Sequence, residues 1–116
     1  MIIKMDAKYV KGQVAVSKLY YNNGRIALEL LDPDDGEIQA TATVNVPEFP
    51  LKDGYVLLKG WSENEGIPEA LEKAGVVRLT KHTVQTGFVK AQVAKLLVQL
   101  QQGNNQAHRG SLADEH

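Results

Sequence analysis

The sequence predicts a single α+β domain of five or six mainly antiparallel strands, with one short helix packed on one face. Three observations carry this. Apolar residues alternate with polar ones in several runs, the period of a half-buried strand. These runs are separated by clusters of Asn, Asp, Gly and Pro, the residues that tight turns require. One stretch alone, Ile67 to Ala74, has a clear helical spacing closed by a glycine. At 116 residues and 43% hydrophobic, the chain suits one domain with a core of its own.

Lys8 to Tyr21 reads as the first strand. Val10, Val14 and Val16 share one face, and Lys11, Gln13 and Ser17 the other. Asn22-Asn23-Gly24 tolerates the positive φ of a hairpin turn, and Arg25 to Leu31 alternates again. Asp32-Pro33-Asp34-Asp35-Gly36 is a second turn. The third strand, Ile38 to Val46, places Ile38, Ala40, Ala42, Val44 and Val46 on one face. The small side chains in its middle leave room for a bulky neighbour, expected to be the helix. Pro47 and Pro50 interrupt the ladder, and Lys52-Asp53-Gly54 turns the chain into a fourth strand, Tyr55 to Lys59.

The helix has two competing start signals. Ser62-x-x-Glu65 has the form of a capping box, whereas Pro68 favours a start near Gly66. Ile67, Ala70, Leu71 and Ala74 form its apolar stripe, and Gly75 ends it. Val76 to Leu79 is a fifth strand, Lys81-His82-Thr83 a polar turn, and Gly87 a bend. Phe88 to Leu100 fits either periodicity; its first half, to about Ala94, reads as extended. The domain is expected to span residues 1–100. Residues 101–116, polar and glycine-bearing, read as a disordered tail.

Charge narrows the function. Thirteen basic and 14 acidic residues give a formal net charge of -1, unlike a phosphate-backbone binder with its basic excess. Nucleic acid is therefore an unlikely partner; the weak candidate is the lysine set Lys4, Lys8, Lys11 and Lys18 near the start of the chain. The chain contains no cysteine, so disulfides, thiolate metal sites and cysteine nucleophiles are excluded. Lys4 and Asp6 follow Met1-Ile2-Ile3 at once, leaving no apolar leader, and no run approaches the roughly 20 residues of a membrane span. The expected location is the cytoplasm, with no membrane partner.

No motif points to catalysis. Asp32-x-Asp34-Asp35-Gly36 lacks the glycine and glutamate positions of a calcium loop and reads as an acidic hairpin turn. His82, His108 and His116 have no second ligand at helical spacing, so no metal site and no cofactor are expected. The densest polar stretch is Trp61-Ser62-Glu63-Asn64-Glu65-Gly66. Ser62 or Asn64 can cap the helix there, with Glu63 and Glu65 at its positive end and Trp61 covering the edge of the core. The functional alternative makes Trp61 an interface anchor with Ser62, Glu63, Asn64 and Glu65 as its polar rim. An acid–base pairing of Glu63 with Glu65 is a weaker option.

The segment Leu58 to Gly66, together with Tyr21-Asn22-Asn23-Gly24-Arg25-Ile26-Ala27, Val44-Asn45-Val46-Pro47 and Thr83 to Val89, resembles a domain-of-unknown-function family of small bacterial proteins. Members of that family look like cargo of plasmids, conjugative elements and phages. The resemblance covers roughly residues 9 to 98; Pro68 and the tail depart from it. It implies no catalytic residues, and it makes the Gly87 to Val98 stretch more strand-like than helical. The function it implies is non-enzymatic binding of a host or phage protein, countering a host restriction or interference system. A small-ligand site or an enzyme centred on Trp61 to Gly66 is the alternative.

Overall fold

The structure, a computed structural model, describes residues 1–102 and is α+β. Among the described residues, seven strands form two antiparallel sheets, and one α-helix accompanies them. Strands β1 (Ile2–Asp6), β2 (Lys11–Tyr20), β3 (Ile26–Leu31) and β4 (Ile38–Thr41) form the first sheet, in that order. Strands β5 (Tyr55–Leu58), β6 (Val77–Thr86) and β7 (Val89–Leu96) form the second, with β7 in the middle. Helix α1 spans Ile67–Lys73.

The predicted first strand is two strands. Ala7 N–H closes a turn onto Val10 O, and β1 folds back on β2 with Ile3 opposite Val14 and Met5 opposite Gly12. The alternation continues through the turn: Ile3, Met5 and Ala7 are buried, while Lys4, Asp6 and Lys8 are exposed.

The third strand also divides. Beyond Thr41, the extended chain serves both sheets. Ala42 N–H bonds Leu28 O of β3, while Ala42 O accepts Lys59 N–H and Val44 N–H bonds Leu57 O beside β5. This segment joins the two sheets into one strongly bent wall whose free edges are β1 and β6. Helix α1 packs against both of these strands.

The main core fills the bend. Val14, Val16, Leu28, Leu30, Ala40 and Ala42 meet Leu71 there, with Ile26 and Ala74 packed alongside, as their faces predict. Val44 belongs instead to a second cluster on the far face of the second sheet, with Val46, Leu57, Val84, Ala91 and Val93. Fully burying a residue such as Leu58 or Leu71 contributes about 1.5–3 kcal/mol.

Of the two helix-start signals, the one in Pro68 holds and the capping box does not form: neither Ser62 nor Asn64 caps α1. Ser62–Asn64 forms a 3-10 turn, and α1 then begins with Pro68 in its first turn. Neither start has a side-chain cap. Gly66 links them at φ 86°, a left-handed conformation that favours glycine. At the other end, Gly75 N–H bonds Glu72 O and Val76 N–H bonds Leu71 O, the paired bonds of a Schellman stop.

The expected polar turn at Lys81-His82-Thr83 is absent, because β6 runs through it with a bulge. Leu79 faces Ala94 and Thr83 faces Gln92, so Thr80, Lys81 and His82 together stand opposite Val93. The ambiguous segment from Phe88 is strand β7, paired on both sides. Twofold ladder pairing outweighs its helix-favouring composition. Of the predicted tail, Gln101 and Gln102 lie along β2, with Lys18 N–H bonding Gln101 O. The remainder falls outside the described residues.

Tyr21 offers a check on this packing. Its hydroxyl hydrogen-bonds Thr43 Oγ1 at 3.0 Å, and that oxygen also accepts Leu28 N–H. Burial, reinforced by Glu29 and opposed by the Thr43 bond, pushes the phenol above its ordinary value of 10.0. An acid whose folded-state pKa is raised contributes stability that is full below the unfolded value. That stability is lost as pH rises through the folded value. Tyr21→Phe is expected to cost about 1 kcal/mol at neutral pH and to flatten the alkaline fall above about pH 10. Denaturant midpoints measured against pH test this; parallel alkaline slopes for the two proteins would contradict it.

Candidate functional site

The Trp61–Glu65 segment sits where β5 hands the chain to α1. Its side chains diverge. Asn64 is buried at 2% exposure, and its Nδ2 donates to Thr41 O at 2.8 Å, tying the turn to the end of β4. Ser62 is exposed at φ 53°, a left-handed conformation that costs a non-glycine residue about 1 kcal/mol or more. The turn bonds from Asn64 N–H to Trp61 O and from Glu65 N–H to Ser62 O hold it there.

Glu63 is exposed. Glu65 is exposed too, with its carboxylate 3.6 Å from Lys8 Nζ and its carbonyl accepting Lys8 N–H. Trp61 is half-buried against the second cluster and borders a shallow depression with Glu69, Thr83 and Lys90. Ser62, Glu63, Asn64 and Glu65 do not line that depression. The geometry gives the segment a structural job: Asn64 anchors it, and Trp61 covers apolar surface.

The four lysines do not form a stripe. Lys4 and Lys11 share a face of the first sheet, while Lys18 lies on the other and stacks over the Tyr20 ring. Lys8 is in the turn with Glu65, and Lys11 pairs with Asp6 at 3.0 Å. Among the described residues, no three His, Cys, Asp or Glu side chains come together as a metal site. Among the described residues, no helix is long and apolar enough to cross a membrane.

A different surface draws charge and apolar area together. The loop after the 42–44 segment folds back over the second sheet, and its prolines leave carbonyls in need of donors. Arg25 supplies them: its guanidinium donates to Val46 O, Pro47 O and Phe49 O. So held, Phe49 and Leu51 form one wall of a trough of about 560 Å3, with Tyr55 and Val93 along its apolar floor. The opposite wall is the bulged part of β6. Thr80 Oγ1 donates to Val93 O at 2.6 Å and accepts His82 N–H at 3.1 Å, which fixes the bulge and the course of Lys81 and His82.

Lys52, Arg78, Lys81 and His82 line this trough, and among the described residues no acidic side chain does. Arg78 stands directly opposite Lys95 in the β6–β7 register, and like charges in that relation destabilise a sheet. Among the described residues, none of these cations has a carboxylate within salt-bridge distance; the ion pairs are Lys8–Glu65 and Lys11–Asp6. Glu72 of α1 accepts Leu79 N–H at 2.9 Å. Sequence reading misses this surface because its residues come from the loop at 49–55, from β6 and from β7. The available signal was Arg78-Leu79-Thr80-Lys81-His82, three basic side chains in five residues.

No family model, curated protein or solved structure matches the chain.

Proposed function

We propose that the protein is a non-enzymatic binding domain that docks an acidic protein partner onto the cationic, apolar-floored trough. The observation that carries this is the Arg78–Lys95 pairing beside Lys52, Lys81 and His82, over Phe49, Leu51 and Tyr55. A face that keeps cations opposed across a ladder forgoes stability. A carboxylate-bearing partner offsets that cost on binding and gains the apolar contact beneath. An extended nucleic-acid strand fits less well, since the net charge is -1. The sequence resemblance to cargo proteins of plasmids and phages supports a host protein as that partner, and a role against restriction or interference.

The test is capture from bacterial lysate at near-physiological salt, comparing the native protein with an Arg78→Glu/Lys81→Glu variant. Both side chains are exposed, so the fold is expected to survive. Recovery of the bound partner should fall at least tenfold, about 1.4 kcal/mol, and native binding should weaken as salt rises. Equal recovery by both proteins, or no specific partner for either, overturns the reading. The defence role has its own readout: expression in a restriction-proficient strain should raise plating of unmodified phage, and unchanged plating sinks that part alone.

A further inference from the structure

The bent wall has two free edges, and they are treated differently. The β6 edge is blunted. It carries the Thr80–His82 bulge, and Glu72 of α1 accepts Leu79 N–H. Bulges and capping groups of this kind prevent strand addition. The β1 edge has no such protection. Val16 N–H bonds Met1 O, and Ala7 N–H bonds Val10 O. The odd-numbered residues of β1 therefore direct their backbone groups toward β2. By alternation, Ile2, Lys4 and Asp6 direct theirs outward. Those outward groups have no partner among the described residues.

Alongside this edge runs a groove of about 980 Å3, with β1 on one side and Gly66, Ala70, Lys73 and Ala74 on the other. On the helix side Gly66, Ala70 and Ala74 are small, while Glu69 and Lys73 bring charge to the same lining. At one end, Lys8 N–H bonds Glu65 O and closes the seam. Unpaired N–H and C=O groups at strand spacing are satisfied together by another extended backbone. The charge in the groove selects its chemistry. Lys11 is engaged by Asp6, leaving Lys4 and Lys73 against Glu69. Lys73 and Lys4 also add to Lys11 in holding the Asp6 carboxyl below its usual range, so the surroundings of the edge are cationic.

We infer that the β1 edge and the groove beside α1 bind an extended acidic peptide segment of a partner protein as an added strand. Its backbone pairs with Ile2, Lys4 and Asp6. Small apolar side chains on one face meet Ala70 and Ala74, and carboxylates on the other face meet Lys4, with Lys73 at the rim. This surface is separate from the trough, and neither proposal depends on the other.

The probe is a blocked seven-residue peptide, Thr-Val-Glu-Val-Glu-Val-Thr, with a glutamine-for-glutamate version as control. In amide NMR titrations of the full chain, the peptide should shift Ile2, Lys4 and Asp6 and slow their hydrogen exchange. The glutamine version should bind at least fivefold more weakly. Lys4→Pro removes one outward N–H at an edge position where proline is tolerated, and should weaken binding at least tenfold. If that variant does not fold, methylating the backbone nitrogens of the peptide tests the same bonds on the native protein. Unmoved β1 amides at saturating peptide, or undiminished affinity after either change, overturns the inference. Shifts at the same amides that grow with protein concentration in the absence of peptide would show a second copy on the edge, and overturn it equally.

Discussion

Arg25→Ala is expected to lower unfolding stability by about 3 kcal/mol, since charge-assisted hydrogen bonds contribute about 1.5–3 kcal/mol each and do not add fully. The loop it serves cannot satisfy itself. Pro47 and Pro50 bring no N–H groups, and Phe49 N–H is already used by Val46 O. The guanidinium donates to Val46 O at 2.6 Å, to Pro47 O at 3.3 Å and to Phe49 O, so one planar fork fixes three carbonyls. Arg25→Lys should lose roughly half as much, because a single ammonium cannot reach all three positions. The loss extends to function, since Phe49 and Leu51 wall the trough only while the loop is held. Denaturant unfolding of the three proteins decides the matter. A loss below about 1 kcal/mol for the alanine variant would show that water replaces the clamp.

Trp61→Ala should cost about 2 kcal/mol. That is less than the roughly 3–5 kcal/mol of a fully buried aromatic, because one side of the ring is exposed. The buried side packs on the cluster formed by Val46, Leu57, Val84, Ala91 and Val93. Glu63→Ala, at an exposed position without an ion pair among the described residues, should change stability by less than about 0.5 kcal/mol. The same melts that report Arg25 report this contrast. A tryptophan variant as stable as the native protein, with partner capture reduced, would favour the interface-anchor reading of Trp61 over the structural one.

Local chemistry made part of the fold legible. The β2–β3 hairpin is written in Asn22-Asn23-Gly24, where Gly24 takes φ 84° and Gly24 N–H closes onto Tyr21 O. The stop of α1 is written in Gly75. Its start is written in Gly66 and Pro68, whereas the Ser62-x-x-Glu65 pattern falls in a separate 3-10 turn and forms no capping box. The signal for β1, Ile3-Lys4-Met5-Asp6-Ala7, has the alternation of a strand but is short. Reading the chain as straight from Lys8 hides the reversal that makes β1 an edge. The Trp61–Glu65 segment stands out in sequence for its polar density, and the structure resolves that density into an anchor, a strained turn and two exposed acids.

Composition, alternation and turn residues settle the α+β class, the faces of β2 and β3 and the helix position, because these depend on neighbours a few residues away. Three features depend on distant pairing and are decided by the tertiary structure alone. The Ala42–Val44 segment is shared between two sheets because β5 comes to lie beside it. Val89–Leu96 is a strand because β5 and β6 satisfy its backbone on both sides. Lys52, Arg78, Lys81 and Lys95 become one cationic surface because the loop and the β6–β7 register bring them to the same face. Each turns on which strands come to pair, and local spacing carries no record of which partner a strand will find.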